Sequence, residues 1–232
     1  MGTKKSFKRT FNNLYTTNKK YRIKKDLQRF ILDQDHPCIM AQILARQKNI
    51  EFDIYSKMES SLTAQKLLKN IGEFIENYDF EDDYFKSYFA VFPDEKFNSE
   101  EDFENAMWEL LRFVNLYDKE PWDYSVSKNT ENCNFSFSIQ GKAFYIVGMH
   151  PKSSRTARQT KYPVLVLHLH WQFEQLRKRG LYQKIKNHIR QREIEKNGSV
   201  NPVLKDFGKA SEAIQYSGRN NSSEWKCPFL KN

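Results

Sequence analysis

The run His150-Pro151-Lys152-Ser153-Ser154-Arg155, followed closely by Arg158, is the densest chemistry in this 232-residue chain. A hydrophobic stretch leads into His150 and fixes where its imidazole stands. Behind it, two hydroxyls and two guanidiniums can wrap an anion, because the planar fork of arginine matches a carboxylate or a phosphate. The same segment also reads as a solvated basic loop after a strand. His168 and His170 lie two apart in an apolar run, so in a strand both point to one face. Two imidazoles can begin a metal site, but a third ligand is not evident nearby, and satisfied core histidines are the plainer reading. Glu174 and Arg177 sit at spacing three on the stretch that follows, which is also the spacing of a routine surface ion pair.

Cys38 follows Pro37 at a corner, Cys227 precedes Pro228 near the end, and Cys133 lies among polar residues. A thiol becomes a nucleophile or metal ligand only where its surroundings lower its pKa; otherwise it is a small buried hydrophobe. The stretch from Asn201 to Arg219 is rich in polar types with glycines between. There Asp206, Glu212, Tyr216 and Arg219 can together hold a zwitterionic or cationic ligand, or simply make a structural C-terminal wrap.

The elements that must position these groups follow from periodicity. Lys24 to Leu32 reads as helix and stops at Asp35-His36-Pro37-Cys38, where the proline biases His36 out of helical geometry. Leu67, Leu68, Ile71, Phe74, Ile75 and Tyr78 recur at the spacing of one buried helical face between Leu62 and Tyr78. Tyr84 to Phe92 reads as a strand ended by Pro93. Ser99 caps the next helix, with Asp102 completing a capping box. Phe135, Phe137 and Ile139 alternate with serines, Gln140-Gly141 makes a turn, and Ala143 to Met149 returns as the second arm of a hairpin. Val164 to His170 is a strand that runs into a helix from Trp171 to Arg179. Gly180 breaks it, and a basic helix continues to about Lys196. The fold expected is α+β: a single domain over 23–232 with a small mixed or antiparallel sheet flanked by helices, preceded by a basic flexible arm over 1–22.

Charge is distributed in blocks. Of 38 Lys+Arg and 29 Asp+Glu, nine basic and no acidic residues fall in 1–25. Residues 26–131 carry a net −12 and residues 132–232 a net +12. The formal +9 is therefore no uniform cationic surface, and the zero net charge of the body argues against a nucleic-acid partner. A mean hydropathy of −0.80, with no apolar run near the ~20 residues of a membrane span, points to no membrane. Three cysteines without CxxC spacing indicate neither a disulfide framework nor a zinc ribbon, and a cytoplasmic location is the default.

His150-Pro-x-Ser-Ser-Arg155, His170-x-Gln172-Phe173-Glu174-x-Leu176-Arg177, Asn201-Pro-x-Leu-x-Asp-Phe-Gly208 and Tyr216-Ser-Gly-Arg219 with Trp225-Lys-Cys-Pro-Phe229 together resemble the YqcI/YcgG family. Asp35-His-Pro-Cys38 looks like that family's Phe-Pro-Cys corner, with His36 in place of the aromatic. The resemblance covers about 28–40 and 135–230. It implies a heme-dependent N-hydroxylase of specialised metabolism, oxidising a side-chain nitrogen of a free basic amino acid such as the guanidino group of arginine. The implied cofactors are heme b, O2 and reducing equivalents from a separate electron-donor protein; a homodimer is open to such a chain. An electron-donating thiolate assists O–O cleavage, so Cys38 is the first candidate for the axial ligand, with His150 and Cys227 as alternatives. Arg155 and Arg158 would hold propionates or a substrate carboxylate, His170 would stand at the cofactor, and Asp206, Glu212, Tyr216 and Arg219 would bind the substrate. A heme-binding or redox-sensing protein without turnover is the alternative.

Overall fold

The computed structural model describes residues 17–230 apart from 83, 204 and 223. The first sixteen residues of the basic arm lie outside the described residues. The rest of that arm is helical: α1 runs from residue 17 to 28 and ends in a π-helical turn, Arg29–Asp33. Ile23, Leu27, Phe30 and Ile31 are buried at three-and-four spacing, which is why this segment is helix and docked. Next come α2 (Ile39–Arg46), β1 (Ile50–Ile54), α3 (Ser61–Glu76), β2 (Ser87–Val91) and α4 (Glu100–Tyr117). β3 (Phe137–Ile139), β4 (Lys142–Met149) and β5 (Val164–Leu169) complete the strands, and α5 (His170–Lys178) and α6 (Tyr182–Asn197) the helices.

Local chemistry explains the boundaries. Ser60 Oγ accepts Thr63 N–H at 3.4 Å to open α3, and Ser99 Oγ accepts Asp102 N–H at 3.0 Å to open α4. Asp102 reaches back to Asn98 N–H (3.2 Å), one residue before the cap, and Glu100, Glu101 and Asp102 complement the helix dipole. Gln140 and Gly141 both take positive φ, +52° and +69°, the geometry that matches a two-residue hairpin to strand twist.

The five strands lie in the order β1-β2-β5-β4-β3, with β1 parallel to β2 and every other pair antiparallel. The α+β reading with a small mixed sheet holds. Side chains alternate between two cores. Tyr88, Ala90, Phe144, Ile146, Leu165 and Leu167 pack under α3 and α4, while Phe89, Val91, Met149, Val164 and Val166 pack against α1 and the π turn. β2 is buried on both faces for this reason, so it reads as a continuous apolar run rather than a clean alternation. Two elements had no sequence signal strong enough to name: α2, eight residues long, and β1, five. Among the described residues no helix is long and apolar enough to cross a membrane.

Candidate functional site

On the sheet face opposite α3 and α4, α1 and its π turn cover only part of β4 and β5. The remainder faces a cavity of about 290 Å³. Tyr145, Val147 and Met149 of β4, His168 near the end of β5 and His170, the first residue of α5, form its floor. Tyr145 is directly opposite His168 in the ladder, so both project from the same face. Met40 and Leu44 of α2, Phe173 and Leu176 of α5, and Tyr182, Ile185 and Ile189 of α6 make the walls. α6 has no fully buried residue. Its apolar side faces the cavity, and polar clasps hold it: Arg192 to Asp35 (2.6 Å), Lys186 to Asp206 (2.8 Å) and Lys196 to the carbonyls of Gln34 and Asp35.

Cys38 lines this cavity from the N-cap position of α2. Burial pushes its thiol pKa up. The backbone N–H groups of Ala41 and Met40, in the first turn of α2, act against that by favouring a negative sulfur, and Glu193 adds to the rise. Burial wins, so without a cation beside it the thiol is neutral. The corner before it is wired: His36 accepts Cys38 N–H at 3.1 Å, and Gln42 donates to His36 O at 2.8 Å and to Asp35 at 3.0 Å.

Arg158 enters the cavity wall from the loop after β4. Its Nη1 donates to three carbonyls, Gly148 (3.2 Å), Gln215 (3.1 Å) and Tyr216 (3.2 Å). The space it occupies exists because Gly218 has no side chain: a Cβ there would stand 2.5 Å from Arg158 Cδ. The His150-to-Arg158 motif and the Tyr216-Ser-Gly-Arg motif, sixty residues apart, therefore meet around one guanidinium.

At another point on the wall stand His170 and Glu212. His170 Nε2 is buried with no hydrogen-bond partner and lies 4.0 Å from Glu212 Oε1. Burial pushes the Glu212 carboxyl up to about 8, against hydrogen bonds from Ser136 and Tyr216 that favour its anion. Burial also lowers His170, and lowers His168 to about 4. His168 Nδ1 pairs with Ser87 Oγ at 2.7 Å. Among the described residues no group of three or more His, Cys, Asp or Glu is assembled to hold a metal ion.

Cys38, Arg158, His168, His170, Arg177, Asp206 and Glu212 thus share one cavity, whereas His150, Arg155, Tyr216, Arg219 and Cys227 do not line it. His150 continues β4 on the parity of Gly148, so it faces α4, where it stacks on Phe103 with ring centroids 4.3 Å apart. It is on the far side of the sheet from Cys38. Arg155 forms a 2.8 Å ion pair with Glu193 and also donates to Ser199 O, which anchors α6. Asp206 does line the cavity but is engaged by Lys186 and Arg190 at 2.8 and 3.5 Å. Tyr216 is fully buried; its Oη accepts Phe137 N–H at 3.0 Å and donates to Phe144 O and Glu212. Arg219 binds Glu104 and Glu101 on α4. Cys227 packs against the core beside Trp225, and burial pushes its thiol up to about 12. Missed in the sequence were Tyr145, a strand aromatic indistinguishable from its neighbours, and the contribution of α6, whose three cavity-lining apolar residues are diluted by charge.

Comparison with known proteins bears on the same segments. The uncharacterized protein YqcI of Bacillus subtilis (strain 168) is 27% identical over 137 residues, covering 56% of this chain and 54% of that protein. The chain therefore spans about half the length of the curated relative it matches. No solved structure matches. The sequence model of the YqcI/YcgG family matches residues 27–230, from α1 through the cysteine corner and the cavity to the C-terminal wrap, and the chain belongs to that family.

Proposed function

We propose that the chain is a heme-dependent N-hydroxylase acting on a side-chain nitrogen of a free basic amino acid, L-arginine or a related guanidino compound first among them. The observation that carries this reading is Cys38, a thiol at a helix N-terminus lining a mostly apolar cavity rimmed by cations. Those residues fit a heme. Its macrocycle brings four nitrogen ligands, so a single thiolate suffices, and the Met40, Phe173, Leu176, Tyr182, Ile185 and Ile189 side chains suit a flat apolar face. Bound there, a thiolate-ligated heme supplies O2 reduction and transfer of one oxygen atom to nitrogen, using two electrons from a separate donor and two protons, with water as the other product.

The chain's own residues do the rest. Cys38 would hold the group through its sulfur as the thiolate, and the Met40 and Ala41 N–H groups, which already favour a negative sulfur, would spread that charge. Glu212 lines the cavity with no Lys or Arg within ion-pair distance among the described residues, and it receives the cationic end of the substrate. A guanidinium beside it draws its carboxyl back toward the ionised form. Asp206, already bridging Lys186 and Arg190, holds the C-terminal segment to α6 instead.

The test is a hemin titration of the purified chain, with ferrous–CO spectra of wild type, Cys38→Ala and His150→Ala. Wild type and His150→Ala are expected to show the red-shifted Soret band of thiolate ligation, and Cys38→Ala to lose it. Incubation with arginine or lysine, O2 and a reducing system should then yield a hydroxylated amine. A chain that takes up no hemin, or a Cys38→Ala spectrum identical to wild type, overturns the reading. Heme binding without any hydroxylated product identifies a sensor.

A further inference from the structure

Arg158 is set among protein atoms, yet it makes no ion pair with any described residue. The two carboxylates that influence it are committed elsewhere, Glu193 to Arg155 at 2.8 Å and Glu100 to Ser154 N–H at 2.8 Å. Its Nη1 is taken by three carbonyls, while Nε and Nη2 make no hydrogen bond among the described residues. An uncompensated guanidinium in such a position is costly. Even so, the backbone is shaped to keep it: Gly218, at φ +84°, leaves the space its side chain crosses. Further along the same wall, the Tyr145 hydroxyl has no hydrogen-bond partner among the described residues, although its ring is packed against Phe173 at 5.5 Å. Both side chains line the cavity and both meet Tyr216: Arg158 Nη1 donates to its carbonyl at 3.2 Å, and the Tyr145 ring stands 6.2 Å from its ring.

We infer that Arg158 and Tyr145 form a carboxylate-binding subsite in the cavity wall. A fixed guanidinium supplies the charge and the three N–H bonds of Nε and Nη2, and a hydroxyl supplies a further donor. The class is a monoanionic carboxylate rather than a phosphate. A dianion would call for a second guanidinium, but Arg155 is held by Glu193 and Ser199 outside the cavity, and the other arginines that line it, Arg177 and Arg190, are engaged by Glu174 and Asp206. The carboxylate belongs to a porphyrin propionate or to the amino-acid substrate. The subsite rests on the cavity being the ligand site, and only the bearer of the carboxylate rests on the proposed function.

The test uses the full chain with Arg158→Met and Tyr145→Phe. In the metal-free protein, cis-parinaric acid and its methyl ester are titrated by fluorescence. The acid is expected to lose roughly 10- to 100-fold in affinity in Arg158→Met and roughly 3- to 10-fold in Tyr145→Phe, with the ester unchanged in both. Hemin against hemin dimethyl ester then gives the propionate arm, and L-arginine against agmatine with the hemin-loaded chain gives the substrate arm. Selective loss in either arm supports the subsite and names its source. If wild type binds no hemin, the proposed function fails while the parinarate comparison still decides the subsite. Should Arg158→Met fail to fold, Tyr145→Phe decides in the same way. Acid, hemin and arginine affinities all unchanged in the folded variants overturn the inference.

Discussion

The backbone N–H of Cys38 donates to Nδ1 of His36 across 3.1 Å. The other ring nitrogen, Nε2, lies 2.8 Å from the carbonyl oxygen of Ala157, which has no proton to give. Nε2 therefore carries the hydrogen and Nδ1 the lone pair, a single neutral tautomer. Burial favours the same state by lowering the imidazole pKa to about 4, and the ring edge packs on Phe30 with centroids 5.2 Å apart. One side chain thus ties the cysteine corner to the short segment that carries Arg158.

An aromatic ring at position 36 keeps the Phe30 contact and loses both hydrogen bonds. His36→Phe is expected to destabilise the chain by about 1–3 kcal/mol, and His36→Gln, which has both a donor and an acceptor, by less. Chemical denaturation measures the difference; equal stability of wild type and the phenylalanine variant would show that the two bonds contribute nothing.

Glu104, only 2% exposed, accepts hydrogen bonds from Ser217 (2.7 Å), Asn221 (2.8 Å), Arg219 (3.0 Å) and Trp225 (3.3 Å). It is the buried knot that binds the C-terminal wrap to α4. Glu104→Ala removes the acceptor that all four share, leaving Arg219 with Glu101 and Asn221 with the Ile214 carbonyl, and is expected to cost about 3 kcal/mol or more. Limited proteolysis should then cut within 217–230 at protease levels that leave wild type whole; an uncut segment would place the anchor elsewhere.

Two glycines with positive φ make an internal comparison. A Cβ at Gly180 meets nothing within 4 Å, so Gly180→Ala carries only the backbone penalty of about 1 kcal/mol. At Gly218 the same substitution also collides with Arg158, 2.5 Å from Cδ and 2.8 Å from Nη1. Gly218→Ala should therefore be the more destabilising by thermal melt and should weaken carboxylate binding, whereas Gly180→Ala leaves binding intact. Equal melts for the two would remove the packing argument.

The buried titratable groups set opposing limits on the metal-free chain. His36, His150 and His168 are lowered to about 4 by burial, so between about 4 and the ordinary value of 6.5 the unfolded chain binds more protons and stability rises with pH. Glu212 is raised from 4.5 to about 8, so its contribution is full below 4.5 and is lost as pH rises through 8. Three imidazoles outweigh one carboxyl on the acid side, which puts the maximum near pH 6.5. From there to pH 8 a decline of roughly 1–2 kcal/mol is expected. Glu212→Gln should abolish that decline; an unchanged alkaline limb in urea melts across pH would clear Glu212 of it.

Long periodic segments were legible without coordinates. α3, α4, the Gln140-Gly141 hairpin and the β5–α5 junction all lie within a few residues of where apolar spacing and turn chemistry put them. α2 and β1 were not, because eight and five residues hold too few periods to stand out from a loop. The chemical types of the site were legible too: Cys38 at its corner, Arg158 after the strand, His170 at the strand end and Glu212 in the tail.

Which of those groups meet is a tertiary matter. Strand parity puts His150 through the sheet from Cys38, since neighbouring side chains leave opposite faces and a one-residue offset reverses the side. Asp206 and Arg155 present the right charges for a ligand, but α6 consumes them from within. Among the described residues no carboxylate comes within ion-pair distance of Arg158, and no Lys or Arg within that distance of Glu212. The sequence by itself determined the fold class, the long periodic elements and the inventory of reactive groups. Only the packed structure decided which charges are neutralised internally and which remain for a ligand, because ion pairing depends on distances across elements that spacing along the chain does not encode.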